Sequence, residues 1–327
     1  MLSLGIESTA HSFGIGIIDE KGRVLANVVD TYKPPEGWGI EPAKAAHHHR
    51  EVCEGMLKKA FSDAKKTMDD IDIISFSQGP GLAPCLHAGF EFAKRLAKEN
   101  KKPLYGVNHC IAHVEIGKVC THAKDPVVLY VSGGNTQILA YVDGRYRCFG
   151  ESMDIGVGNA LDKFGRVMGM GFPAGPKIEK EALGGKWIEL PYVVKGMDLS
   201  FSGIVTEAIK RKEQGSSLKD VSFSLQETFF SMLTEVTERA TAHTEKKEVL
   251  LTGGVAANSR LQEMLRIMCK ERGAKFYVVP RELAGDNGVM IGFVGLLMKK
   301  SRQKPLKLED IELAPRQRTD EIDISWL

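Results

Sequence analysis

Residues 126–151, PVVLYVSGGNTQILAYVDGRYRCFGE, decide the fold of this chain. An apolar run that ends in Ser-Gly-Gly predicts a strand and a tight turn, and the Asp-Gly pair predicts a second turn between two further strands. Residues 2–30 repeat this order of three short strands, as LSLGIEST, FGIGIID and KGRVLANVVD. Two similar strand meanders indicate an internal duplication.

Outside the meanders, apolar strands alternate with amphipathic helices, which is typical of α/β lobes. In the first half we predict helices at 43–64 and 90–100 around a strand at 71–81. In the second half we predict a long helix at 221–244, a buried strand opening onto a turn at 248–258 and a helix at 259–273.

The sequence also predicts where the lobes begin and end. The segment THAKDP, residues 121–126, breaks the helical pattern, so we place an N-terminal lobe at 1–122 and a C-terminal lobe at 123–300. Residues 301–327 are charged and punctuated by prolines, and we expect them to form a tail that wraps a lobe or leads toward a partner.

Composition limits the classes of function. The 327 residues carry 44 basic and 42 acidic side chains, a net charge of +2, so any contact with RNA has to be local or shared with partner proteins. The six cysteines form no CxxC pair, the first residues lack a basic and apolar leader, and no apolar run reaches the length of a membrane span. We therefore expect a cytoplasmic protein with reduced thiols and no membrane contact.

Two motifs point to chemistry. In NHCIAHVE, His109 and His113 are four residues apart, so on a helix both imidazoles face the same side and can bind one cation. The adjacent glycines Gly133 and Gly134 allow backbone N–H groups to approach a phosphate. Either pattern alone also fits a simpler role, as a chance pair of helical histidines or a plain hairpin turn. Together they predict chemistry on a nucleotide-linked substrate.

A set of motifs gives the chain a resemblance to a known family. They are ESTAHS, QGPG, NHCIAH, YVSGGNTQ, GNALDKFGR, SFSG, TGGVAAN and AGDNGVMI. Three of the segments resemble the nucleotide-contacting parts of the duplicated actin-like ATPase fold shared by actin, sugar kinases and heat-shock chaperones, with two lobes around a nucleotide cleft. Over nearly its full length the chain resembles the tRNA N6-threonylcarbamoyladenosine synthase catalytic subunits, formerly called O-sialoglycoprotein endopeptidases. The archaeal and eukaryotic branch, the catalytic subunit of the KEOPS complex, is the most similar.

The resemblance implies a metal site made of His109, His113, Tyr130 and Asp286. Such a mixture of nitrogen and oxygen ligands suits iron, which the family implies, and would also accept zinc or manganese. An alternative reading of Tyr130 is an ordinary aromatic residue of a buried strand.

Substrate-binding positions also carry over from the resemblance. They are Tyr130, Val131, Ser132, Gly133, Gly134, Asp162, Gly175, Glu179 and Asn258, and the expected ligand is an adenine nucleotide or threonylcarbamoyl-AMP. Carboxylates such as Asp162 and Glu179 can accept hydrogen bonds from ribose hydroxyls, although lone carboxylates on helices are more often simply solvated.

The sequence leaves the catalytic base open. Glu7 and His11 are candidates because they lie on the first predicted hairpin. The three consecutive histidines 47–49 point in different directions around a helix, so we expect partly exposed polar residues there rather than a cation site.

The resemblance implies a transferase that moves the threonylcarbamoyl group from threonylcarbamoyl-AMP to N6 of the adenosine 3′-adjacent to the anticodon in tRNA. Its implied partners are tRNA and KEOPS subunits, including an atypical protein kinase and a small dimerising subunit. Two alternatives are a zinc metallopeptidase and a non-catalytic nucleotide-binding module. Cys110 argues against the peptidase, because it stands where the HExxH motif needs a glutamate to activate water.

Overall fold

The computed structural model describes residues 1–35 and 38–327. These residues form two compact units. The first unit consists of Met1–Cys120, Asp143–Tyr146 and Gly285–Leu327, and the second of Thr121–Val142 and Arg147–Ala284. In the described part of the chain, we find no helix that is long and apolar enough to cross a membrane.

The secondary structure follows the predicted alternation of strands and helices. The strands are β1 Leu2–Glu7, β2 Ser12–Asp19, β3 Val24–Thr31, β4 Ile73–Gly79, β5 Leu104–Asn108, β6 Val127–Val131, β7 Thr136–Val142, β8 Arg145–Glu151, β9 Val194–Lys195, β10 Asp198–Leu199, β11 Glu248–Thr252 and β12 Lys275–Val278. The helices are α1 Pro42–Ala64, α2 Ala83–Asn100, α3 His109–Thr121, α4 Val157–Val167, α5 Gly175–Glu181, α6 Ser202–Glu213, α7 Leu218–Thr244, α8 Ser259–Glu271, α9 Arg281–Ala284 and α10 Gly288–Lys300.

Two five-stranded sheets share one strand order. The first runs β3-β2-β1-β4-β5, and the second runs β8-β7-β6-β11-β12. In the first sheet, β1 pairs antiparallel with β2 and parallel with β4. In the second, β6 pairs antiparallel with β7 and parallel with β11. The predicted α/β fold with an internal duplication is therefore confirmed.

Helix α10 lies on the first sheet with its backbone in contact with the strands. A Cβ atom at Gly5 of β1 would lie 2.0 Å from the carbonyl oxygen of Gly288, and one at Gly16 of β2 would lie 2.2 Å from the backbone nitrogen of Val289. Only glycine fits where two backbones come this close. A Cβ at Gly14 would lie 3.1 Å from Cα of Asn287, so the chain just before α10 is held against the β1–β2 hairpin.

The C-terminal part of the chain is distributed differently from the predicted segments. We placed 123–300 in one lobe and 301–327 in a tail, whereas Gly285–Leu327 belongs to the first compact unit. The physical reason is that α10 covers the first sheet. The residues after it also bond to that sheet, since Leu306 N donates to Leu104 O over 2.9 Å and Ala314 N donates to Gln78 O over 3.0 Å.

Candidate functional site

The first part of the site is the start of helix α3. Oδ1 of Asn108 accepts a hydrogen bond from the backbone N–H of Ile111 over 3.1 Å and so caps the helix. The cap fixes the helix start at His109 and places His113 one turn later on the same face. Both imidazoles are buried, and their ring centroids are 4.7 Å apart.

Asp286 joins the two histidines from the segment that precedes α10. Its Oδ1 lies 3.2 Å from Nε2 of His113 and 3.5 Å from Nε2 of His109. The capping side chain of Asn287, which accepts from Met290 N over 3.0 Å, fixes the start of α10 beside it. One ligand atom from each of the three residues lies within 4.8 Å of the others, so they can bind a single metal ion. Three of the four predicted metal ligands are therefore brought together.

Glu7, at the end of β1, contacts the His109 ring on the side opposite Asp286. Its side chain is completely buried, and Oε2 lies 3.0 Å from Nδ1 of His109. Oε1 accepts from the backbone N–H of Thr9 over 2.6 Å and from Oγ1 of Thr9 over 2.5 Å. A carboxylate that accepts from Nδ1–H of His109 leaves Nε2, the atom facing Asp286, available as a metal ligand.

The cluster has a negative electrostatic character that favours a cation. Burial lowers the pKa of His109, but the Glu7 and Asp286 carboxylates outweigh burial and raise that pKa to about 9. Burial works to raise the pKa of Asp286, but the neighbouring imidazoles hold the pKa below its ordinary range. Burial lowers the pKa of His113, so this imidazole favours the neutral form that binds metals.

Tyr130, the fourth predicted ligand, lies on β6 in the second unit and is fully buried. Val131 ends the same strand and is also fully buried. Their position on a central strand of the sheet is compatible with a core role as well as with a site at the strand's carboxyl end. The role of Tyr130 as a ligand therefore stays a prediction.

The turn after β6 has a fixed shape and an open surface. Helix α4 begins against this turn, because the N–H groups of Gly158 and Asn159 donate to the carbonyl oxygens of Ser132 and Gly133 over 3.1 and 3.0 Å. Gly133 and Gly134 are both exposed. A Cβ atom on Gly134 would have no heavy atom within 4 Å, so there is room for a ligand beside this backbone.

A second glycine turn follows β11, the strand that pairs in parallel with β6. Gly253 has φ of +95°, and a Cβ there would lie 2.2 Å from the carbonyl oxygen of Val131, so the position requires glycine. Gly254 again has open space around its Cβ position. The two turns therefore lie at the carboxyl ends of neighbouring parallel strands, where ligands bind in open α/β sheets.

The remaining predicted substrate residues lie on α4, on α5 and just before α8. Asp162 on α4 is half-buried, and its Oδ1 accepts from the backbone N–H of Ala174 over 2.7 Å. This bond holds the chain that leads to Gly175, the first residue of α5. Oε1 of Glu179 accepts from Ser259 N over 2.8 Å and from the Ser259 hydroxyl, so Glu179 is not a merely solvated carboxylate.

Asn258 is a helix cap, and its side chain is engaged inside the protein. Its Oδ1 accepts from the N–H groups of Arg260 and Leu261, and its Nδ2 donates to Oε1 of Gln226 over 3.1 Å. The side chain is buried, with 8% exposed. These contacts assign Asn258 a structural role at the start of α8, and a contact with the substrate stays a prediction.

The structure adds Thr9 and Asp154 to the residues singled out from the sequence. Thr9 links Glu7 to His109, with Oγ1 3.4 Å from Nδ1 of the imidazole. Asp154 precedes α4 and accepts from the N–H groups of Phe201 and Ser202. Burial works to raise the pKa of Asp154, but hydrogen bonds led by the Ser202 hydroxyl lower it to about 2. Thr9 lies inside the quoted motif ESTAHS, whereas nothing in the sequence marks Asp154.

The histidines 47–49 differ from the expectation. His47 is exposed and His48 half-buried, as predicted, but His49 is completely buried. Its position fits the buried stripe of α1, which includes Ala45, Ala46 and Cys53.

The chain is similar in sequence to known proteins. A family model described as TsaD, tRNA N6-adenosine threonylcarbamoyltransferase, matches residues 23–293. The chain is 56% identical over 328 residues to the tRNA N6-adenosine threonylcarbamoyltransferase of Thermococcus kodakarensis, with 100% of both chains covered. It is also 51% identical to a probable bifunctional tRNA threonylcarbamoyladenosine biosynthesis protein of Methanocaldococcus jannaschii, in which it covers 61% of the length.

Among solved structures, the chain resembles HypF from T. kodakarensis. The TM-score is 0.62 at 18% sequence identity, with 95% of this chain and 49% of that protein covered. At this identity the similarity concerns the fold alone. The repeated strand order and this similarity agree with the predicted duplicated actin-like fold.

Proposed function

Because this chain belongs to the tRNA N6-adenosine threonylcarbamoyltransferase family, we propose that it transfers a threonylcarbamoyl group to N6 of an adenosine in tRNA. The proposed donor is threonylcarbamoyl-AMP, and the proposed acceptor is the adenosine 3′-adjacent to the anticodon. In this reaction a bond forms between N6 and the carbamoyl carbon, the bond from that carbon to the phosphate oxygen of AMP breaks, and N6 loses a proton.

The observation that carries the proposal is the convergence of His109, His113 and Asp286 in a chain of this family. Two imidazole nitrogens and a carboxylate oxygen fit iron, and they would also accept zinc or manganese. We propose iron, with Tyr130 as a further ligand. When bound, the metal supplies a Lewis acid for the adenylate.

Backbone and side chains of the second unit have binding roles in this proposal. The open turn at Gly133 and Gly134 presents backbone N–H groups to the phosphate, which stabilises the negative charge as AMP leaves. Glu179 uses Oε1 for Ser259 and has Oε2 to accept from a ribose hydroxyl. Asp162 shapes the chain before α5 and so positions Gly175 beside the nucleoside.

The proton of N6 needs an acceptor, because the amine is a poor nucleophile whose lone pair is delocalised into the ring. Both oxygens of Glu7 are engaged with Thr9 and His109, and its side chain is completely buried. His11 is half-buried and lies on the loop between β1 and β2, and a neutral imidazole has a nitrogen that can accept a proton. We therefore favour His11 as the acceptor and assign Glu7 the role of orienting His109.

The near balance of 44 basic and 42 acidic residues motivates a proposal about partners. We propose that the chain acts in the cytoplasm with KEOPS subunits, including an atypical protein kinase and a small dimerising subunit. These partners would add basic surface for tRNA, since phosphate contacts dominate affinity for nucleic acids.

The experiment is transfer of labelled threonylcarbamoyl from the adenylate to tRNA, with and without partner proteins. Label that appears on N6 of the adenosine next to the anticodon supports the proposal. Release of AMP without any labelled tRNA, under conditions in which tRNA binds, would contradict it.

A further inference from the structure

The loop of residues 8–11, between β1 and β2, is held at every residue. Ser8 N donates to Oγ of Ser77 over 3.0 Å, and Thr9 O accepts from Leu82 N over 2.7 Å. His11 O accepts from Tyr32 N over 2.8 Å. The carbonyl oxygen of Ala10 lies 3.0 Å from Nε2 of His49 on α1.

His49 makes this contact from a fully enclosed position. Its side chain is completely buried, and its ring packs against Phe13 of β2 with a centroid distance of 5.4 Å. Burial lowers the pKa of His49 to about 4, so the ring is neutral in ordinary conditions. A neutral imidazole has one N–H donor and one acceptor nitrogen.

The hydrogen-bond partners determine which nitrogen carries the proton. A carbonyl oxygen can only accept, so Nε2 of His49 has to be the protonated nitrogen. Nδ1 of His49 is then the unprotonated nitrogen, and Nδ1 of His48 lies 3.3 Å from it. Nε2 of His48 lies 2.8 Å from Oδ1 of Asp30, whose carboxylate accepts. A series of polar contacts thus links Asp30 on β3, His48 and His49 to the Ala10 carbonyl.

We propose that His49 is a positioning residue. It donates Nε2–H to the Ala10 carbonyl and so holds the loop of residues 8–11 in its observed shape. In this shape Thr9 faces Glu7 and His109. The effect reaches the metal cluster through contacts given above, because Thr9 donates to Oε1 of Glu7 and Oε2 of Glu7 faces Nδ1 of His109. Glu7 is the direct outer partner that orients His109, and His49 acts on it only through the loop and Thr9.

A spectroscopic test does not depend on the reaction. In the full chain with isotope-labelled histidine, NMR near neutral pH should show His49 with a proton on Nε2 and none on Nδ1, assigned by the signals that disappear in His49→Gln. A His49 ring protonated on Nδ1 would overturn the inference, because Ala10 would then have no donor from this ring.

A kinetic test, which rests on the proposed function, uses matched variants. His49→Phe keeps an aromatic ring without the donor. Because His49 acts on His109 only through Thr9 and Glu7, we expect the rate constant at saturating adenylate to fall about 10-fold, the lower end of the range for direct outer partners, with little change in KM. His49→Gln keeps an N–H donor near the position of Nε2 and should recover the rate to within about 3-fold of the parent. His47→Ala, at an exposed neighbour with 74% of its side chain accessible, should match the parent.

The outcomes separate this inference from the proposed function. A parent protein that transfers no label indicates failure of the proposed function, and the NMR measurement still decides the role of His49. An active parent with a fully active His49→Phe, or with His49→Gln as impaired as His49→Phe, would overturn the positioning role. If His49→Phe does not fold, the NMR result and the rate of His49→Gln decide whether His49 is a positioning residue.

Discussion

The two hairpins of the duplicated fold are equivalent in topology but differ in what surrounds their turns. In the first, the turn after β1 is filled by buried polar side chains, with Glu7 fully buried and bonded to Thr9 and His109. In the second, the turn after β6 contains two exposed glycines, Gly133 and Gly134, and no heavy atom lies within 4 Å of the Cβ position of Gly134.

Under the proposed function, two hairpins of the same topology would bind ligands of opposite charge. The first hairpin places a carboxylate behind an imidazole, which favours a cation. In the second hairpin, the N–H groups of α4 bond to the carbonyl oxygens of Ser132 and Gly133. In the proposal, the exposed glycine backbone of this turn would therefore face an anion with its N–H groups.

The largest effect should come from Asp286→Ala. Removing the carboxylate that faces both imidazoles should abolish stable metal binding and lower transfer on the order of 1,000-fold, because a Lewis acid contributes several kcal/mol. Elemental analysis and single-turnover transfer measure the two effects. Asp63→Ala, at an exposed residue of α1 paired with Lys59, is the control and should keep both properties. Retention of metal and of the parent rate in Asp286→Ala would exclude the proposed metal site.

Glu7→Gln tests whether the first hairpin orients a ligand or accepts a proton. If Glu7 orients His109, this variant should bind metal about 10-fold to 100-fold more weakly, and added metal should restore most of the rate. If Glu7 were the general base, the variant would keep its metal and lose the rate at every metal concentration. Metal titrations followed by transfer kinetics distinguish these results.

Gly134→Ala tests the second hairpin. The fold has room for the methyl group, so the midpoint of thermal unfolding should stay close to that of the parent. The methyl group would occupy the space assigned to the phosphate, and we expect adenylate binding to weaken about 10-fold, comparable to one lost charged hydrogen bond. Gly55→Ala on α1, which also has open space, is the control and should leave binding unchanged. Unchanged adenylate affinity in Gly134→Ala would argue against a phosphate at this turn.

Asn258→Ala should have the smallest effect. Because the side chain caps α8, its removal should lower the free energy of unfolding by about 1 kcal/mol, whereas Asn258→Asp, which keeps a capping oxygen, should lose less. Denaturant unfolding measures the difference. Weaker adenylate binding in both variants without loss of stability would instead assign Asn258 to the substrate.

Much of the fold could be predicted from the sequence because its signals are local. Alternating apolar residues and glycine turns predicted both meanders, and the spacing of His109 and His113 predicted that they share a helix face. The pairing of both histidines with Asp286, 173 positions after His113, depends on how α10 packs on the first sheet. Residue spacing gives no information on such a contact, and only the resemblance to a family predicted it.

Local signals in the sequence also bear on the structural roles of single residues. The asparagine before SRLQ is typical of a helix cap, and the structure has this cap at Asn258, whose contact with the substrate stays a prediction. His49 follows Ala45 by one helical turn on an apolar face, which indicates burial, although partial exposure was expected. The position of Glu7 on the hairpin makes it a candidate base, and its contacts with His109 and Thr9, which support the proposed orienting role, have no signal in the sequence.

The most direct test of this division between the hairpins is the metal affinity of the parent, Glu7→Gln and Gly134→Ala, measured side by side without nucleotide. We predict that Glu7→Gln binds metal about 10-fold to 100-fold more weakly than the parent, while Gly134→Ala binds it with the parent affinity. A loss of metal affinity in Gly134→Ala equal to that in Glu7→Gln, or no loss in Glu7→Gln, would contradict the account.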